Sequence, residues 1–201
     1  MPLLNPNDAH QYRGWVKISD GTSYTKLDSS TAAVTTIDYA HHEIHSGSHY
    51  YIQGYLTLAE EEGGGEGTYY VKLVTPNTTK WSHFLFDIKS TAICTTTLDE
   101  GATGGMTGGS DVTPINNNRN SDKTSGMVLT SGVTVADSYA KRLENDKWGA
   151  NGFKETIGGG SSRSDELILK QNTTYLRTFI SGAAGNIVQF KASWYEHTDV
   201  N

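Results

Sequence analysis

Residues 187–195 (IVQFKASWY) constrain the fold most tightly, because they alternate strictly. Val188, Phe190, Ala192 and Trp194 share one side and Ile187, Gln189, Lys191, Ser193 and Tyr195 the other. A strand whose successive side chains point to opposite faces presents such a stripe only when one face of its sheet is buried. Upstream lie two more apolar or alternating runs, 166–170 (ELILK) and 174–180 (TYLRTFI), and a glycine-bearing turn, 181–186 (SGAAGN), leads into the striped strand. The end of the chain therefore reads as a closing core strand of an all-β domain, with Trp194 facing inward.

The rest of the chain supports that class. Apolar residues make up 35% and charged residues 19% of 201 positions, and the remainder is dominated by Thr, Ser, Gly and Asn, which favour strands and turns over helices. Further strands are predicted at 49–58, 68–75, 83–89, 92–98 and 126–130. About eight to ten strands at this spacing predict an antiparallel β-sandwich, jelly-roll-like in plan. The glycine-rich stretches 60–67, 101–110 and 158–162 read as surface loops. Segment 135–146 (VADSYAKRLEND) breaks the β pattern; a short helix and an irregular loop both fit it.

The first residues differ. Positions 1–11 hold Pro2 and Pro6 without periodicity, an extended arm, and 12–27 read as a hairpin turning at Asp20-Gly21. A strand is predicted at 33–39. The expected organisation is a docking segment, 1–36, followed by a β-sandwich domain, 37–201.

A net charge of −6 disfavours nucleic acid and anionic membranes as partners, since both need a basic face. No run of about 18 apolar residues is present to span a bilayer. The start of the chain has neither the basic nor the long apolar region of a secretory signal, so export by that route is not expected and synthesis in a reducing cytoplasm is compatible. Cys94 is the single cysteine, so no internal disulfide forms.

Four of seven histidines fall within 41–49. In a strand His41, Glu43 and His45 would share a face; in a helix His41 and His45 would lie one turn apart, as metal pairs do. Those two are the only metal candidates, and hydrogen-bonded or subunit-contact histidines explain them more simply. No cofactor is expected. The carboxylates Asp87, Asp99, Asp165 and Glu196 fall at strand ends without forming an acid pair, no P-loop ends the glycine runs, and no nucleophile-base pair can be named; the chain reads as no enzyme. Asn77-Thr78-Thr79 and Asn172-Thr173-Thr174 read as β-turns. Tyr51, Tyr55, Tyr69, Trp81 and Trp194 are assigned to the core, with a sugar-stacking platform as the other use of so many aromatic rings.

The blocks 41–47 (HHEIHSG), 74–80 (VTPNTTK), 116–121 (NNNRNS), 166–170 (ELILK) and 194–197 (WYEH) resemble a family of small structural proteins of tailed bacteriophages, over roughly residues 37–198. The resemblance implies a β-sandwich of the virion, head-associated, with no catalytic residues. The function expected from it is a cement protein that decorates the capsid exterior and stabilises it by binding the major capsid protein lattice. Tyr12, Trp15 and Ile18 are the expected docking residues. His41, His45 and Trp194 are assigned to subunit or core contacts in a homo-oligomer, a trimer suiting a capsid lattice best. The alternative is a receptor- or carbohydrate-binding module of a tail or head fibre, contacting its target through loops 60–67 and 101–120.

Overall fold

A computed structural model of the chain describes residues 15–17, 24–26, 39–58, 67–149, 157–159 and 165–198. It divides into two compact units, Met1–His42 and Glu43–Asn201. In the first, strands β1 (Trp15–Lys17) and β2 (Tyr24–Lys26) pair antiparallel, Trp15 opposite Lys26, as the predicted hairpin requires. Its Asp20-Gly21 turn, Tyr12, Ile18 and positions 33–38 lie outside the described residues. Tyr39 opens a helix, α1 (Tyr39–Ser46), where a strand was expected to finish.

The second unit is a sandwich of two antiparallel sheets. Its strands are β3 (His49–Leu58), β4 (Thr68–Val74), β5 (Lys80–Ser90), β6 (Cys94–Glu100), β7 (Ser110–Val112), β8 (Ile115–Asn116), β9 (Val128–Ser131), β10 (Lys141–Trp148), β11 (Ile157–Gly159), β12 (Leu167–Leu169), β13 (Thr174–Ser181) and β14 (Asn186–Thr198). The first sheet runs β10-β6-β13-β4-β9-β7, and the second runs β11-β5-β14-β3-β8 with β12 also on β5. Strands β3 to β6 alternate between the sheets, and the late strands β13 and β14 insert between the early ones, β13 between β4 and β6 and β14 between β3 and β5. That interleaving is the strand order of a jelly roll.

The core follows the striped strand. Val188, Ala192 and Trp194 are buried with Tyr50 and Ile52 of β3, Phe84 and Ile88 of β5, and Leu73, Leu98, Tyr175 and Phe179 of the facing sheet. Phe179 of the facing sheet packs against Phe190 and Phe86, with centroids 5.3 and 5.9 Å apart, and those two rings stack at 6.3 Å within the second sheet. Trp194, 1% exposed, is thus a core residue and has no surface to offer a second subunit.

Three expectations are corrected. Tyr55 is 74% exposed, because the inward positions of β3 are Tyr50, Ile52 and Leu58 and alternation sends Tyr55 outward. Asp99 and Glu196 are buried carboxylates and not surface groups. Segment 135–146 forms no helix: Ser138 bridges Thr103, and from Lys141 the chain pairs with β6 as a charged edge strand, with a bulge between Arg142 and Glu144. Charge along such an edge discourages pairing with foreign strands, which explains a sequence that looked unlike β.

Candidate functional site

Helix α1 brings His41 and His45 to successive turns, both exposed. It ends at Gly47, whose φ of +75° lets Gly47 N–H reach the Ile44 carbonyl (3.1 Å) and Ser48 N–H the Glu43 carbonyl (2.9 Å), a Schellman closure. The asparagine-rich block at 116–121 finishes the cap. Asn116 Nδ2 donates to the Gly47 carbonyl and Asn118 Nδ2 to that of His45, while Lys123 Nζ donates to that of Ser46. These bonds tie the end of the helix to the asparagine-rich loop.

A second histidine group was not foreseen. On the outer face of the second sheet, Tyr195 of β14 lies opposite His49 of β3 and His83 of β5. The His83 and Tyr195 rings stack at 4.4 Å, and the His197 ring lies 4.5 Å from His83, tilted by 43°. Tyr195 Oη donates to Glu166 Oε1 (2.8 Å), His83 Nδ1 lies 2.5 Å from the same oxygen, and His83 Nε2 lies 2.7 Å from His197 Nε2. Two imidazole nitrogens on one tetrahedral zinc would stand about 3.4 Å apart, so this contact is a hydrogen bond and not a ligand pair. Among the described residues no three His, Cys, Asp or Glu side chains converge to hold a metal ion. The network fastens the residue before β12 to β5 and β14. His49 accepts from Asn117 Nδ2 at 2.8 Å, and burial, then Lys191, holds its imidazole below the usual histidine range.

A cleft of about 340 Å³ lies at the sandwich edge, between β10 and the start of β12. Glu144, Asp146 and Trp148 of β10 line one side, Asp165 and Leu167 the other, and Phe86 and Arg177 the floor. Arg177 sits in the middle of β13, 3% exposed, its guanidinium 3.6 Å above the Phe86 ring. Its Nη1 donates to Glu144, while its buried Nε–H has no partner among the described residues. Burial lowers the guanidinium from its ordinary range, opposed by Glu144 and Asp146. Trp148 is oriented by its own N–H, which donates to Thr96 Oγ1 at 3.1 Å.

None of these cleft residues was named from sequence as a group. The signal was present: in TYLRTFI the period-two reading that buries Tyr175 and Phe179 buries Arg177 with them, and a buried arginine demands a partner. Asp165, noted as a scattered carboxylate, belongs here; Asp87, Asp99 and Glu196 do not. Of the expected docking residues, Trp15 lies in β1, in the other unit.

Comparison with protein-family models, curated proteins and solved structures found no match for this chain. No helix among the described residues is long and apolar enough to cross a membrane.

Proposed function

We propose that this protein is a non-enzymatic structural protein of a tailed-phage virion, which binds the major capsid protein lattice from outside and stabilises it. The observation that carries the reading is the division at His42: a jelly-roll unit with its own buried core, and a separate compact unit before it whose described strands, β1 and β2, pair as a hairpin. Two separate units, one to attach and one to project, suit a protein whose task is to hold on to a surface. The jelly roll recurs in capsid and lectin domains, which agrees with the reading without selecting it. The buried carboxylates are consistent with a structural role. Glu196 holds loop 125–127, Glu100 holds Lys170 and Tyr175, and Asp99 holds Arg142.

The mechanism is mass action. A protein that binds the assembled lattice better than its free subunits stabilises the shell by the free energy of that binding, summed over many sites. Residues 1–36, with Trp15, make the attachment, and the sandwich projects from the capsid, as a trimer where the lattice has three-fold positions.

Quantitative mass spectrometry and electron cryo-microscopy of purified particles test this. Hundreds of copies on the shell are expected. A few copies at the tail tip would replace decoration with receptor binding, and none in the particle would end the virion reading.

A further inference from the structure

We propose that the open edge of β3 joins two copies of this chain, strand to strand about a two-fold axis, into one continuous sheet. The edge follows from the hydrogen-bond phase of the strand. Glu196 N–H donates to the Ser48 carbonyl and Asn117 N–H to that of His49, both at 2.9 Å. Even-numbered residues of β3 therefore turn their backbone groups to β14, and odd-numbered ones turn theirs the other way. On that other side β8 pairs with Tyr50 and Tyr51 and stops. The N–H and C=O groups of Gln53, Tyr55 and Thr57 point out of the sheet, with no strand opposite them among the described residues, and all three residues are exposed.

Composition separates this edge from its counterpart. Strand β10, the long edge of the first sheet, carries Lys141, Arg142, Glu144, Asp146 and Lys147, a guard against foreign strands. Strand β3, 10 residues long, has no Lys, Arg, Asp, Glu or Pro. A long edge without such a guard is a template for strand addition. Its neutrality also points to the occupant. Two copies of a chain with a net charge of −6 repel one another overall, and an uncharged strip is where they can approach.

The strand is also complementary to itself. With Tyr55 on the axis, each Tyr55 faces its twin in the second copy, Gln53 faces Thr57 and Gly54 faces Leu56. The Tyr55 and Gln53–Thr57 pairs lie on the outer sheet face, aromatic on aromatic and amide on hydroxyl, and each exchanges two backbone hydrogen bonds. On the inner face, glycine leaves room for the half-buried Leu56. The match runs over 53–57 and leaves β8 in place beyond it. Such a contact uses the same surface on both copies and closes at two. It neither rests on the virion reading nor requires the three-fold arrangement.

Sedimentation velocity of the full chain over a range of concentrations tests it, and a monomer–dimer equilibrium is expected. Tyr55→Lys and Tyr55→Glu, at a position 74% exposed, should each keep the native circular-dichroism spectrum. Each sets like charges face to face across the axis and should weaken the dimer about tenfold or more. An equimolar mixture of the two should associate again, because opposite charges then meet. Val135→Lys, at an exposed apolar residue elsewhere, should dimerise as the parent does. The proposal is overturned if the parent is monomeric throughout, if its association, as dimer or trimer, is indifferent to the charge at residue 55, or if the mixed variants stay apart.

Discussion

Glu196 grips Gly126 with both carboxylate oxygens, the backbone N–H of Gly126 lying 3.1 Å from one and 3.0 Å from the other. Ser125 Oγ and the Trp194 indole N–H also donate to the carboxylate, at 2.5 and 3.1 Å, so one side chain of β14 anchors the entry to β9. Glu196→Ala would leave these buried donors unmatched. A loss of about 2–4 kcal/mol in unfolding free energy is expected, read from urea denaturation.

His49 gives the fold an acid sensitivity. Its folded-state pKa is lowered, by burial first and Lys191 second, against the opposing carboxylates Glu43 and Glu166. In the window below about pH 6.5 the unfolded chain therefore binds more protons at this residue than the native one does. The contribution is full above that pH, is lost as pH falls toward the folded pKa, and levels off below it. His49→Gln should flatten this part of the stability profile relative to the parent, measured as urea midpoints between pH 7.5 and 5.

Gly47 cannot be replaced cheaply. At φ +75° a side chain is strained, and a Cβ there would stand 2.2 Å from Ser121 Oγ. Gly47→Ala should cost about 1–3 kcal/mol, whereas Gly54→Ala, with its nearest contact 3.6 Å away, should cost less. Thermal unfolding of the two variants side by side gives the ranking.

Removing Glu144 strands the Arg177 charge. Glu144→Gln should destabilise by about 3 kcal/mol, and the double variant Glu144→Gln with Arg177→Met should recover much of it, because an apolar chain tolerates burial beside Phe86. A double-mutant cycle in urea distinguishes this from simple loss of packing.

Cys94 should resist modification in the native state. It is fully buried, and burial pushes its thiol up to about 11. A disulfide-exchange reagent at neutral pH should react only as fast as the unit opens, and immediately in denaturant.

The strands were legible where side chains alternate over a full length. The stripe Val188, Phe190, Ala192, Trp194 predicts both the strand and its buried face, and the structure buries three of these four and half-buries Phe190. The short strands β7, β8 and β11 were not legible: they lie in or beside glycine-rich segments and form because a neighbour offers a free edge. Strand β10 was hidden because its charges answer partners distant in sequence, Asp99 for Arg142 and Arg177 for Glu144. The same distance hid the cleft, whose lining comes from four strands and shows no local motif. The cluster of His83, Tyr195, His197 and Glu166 escaped notice similarly, since only the register of β14 on β5 brings it together.

The position of β14 between β3 and β5 also bears on how the protein is made. The central member of the second sheet is the last described strand to leave the ribosome, so β3 and β5 have no shared neighbour until residues 186–198 have emerged. The pairings of β14 with β3 and β5 join residues 98 to 146 positions apart, and closure of such distant contacts is slow, on the order of milliseconds to seconds. During that interval two apolar sheet edges stand open beside each other, so a nascent chain stalled before residue 186 would be expected to aggregate or recruit chaperones rather than wait as a partly folded domain.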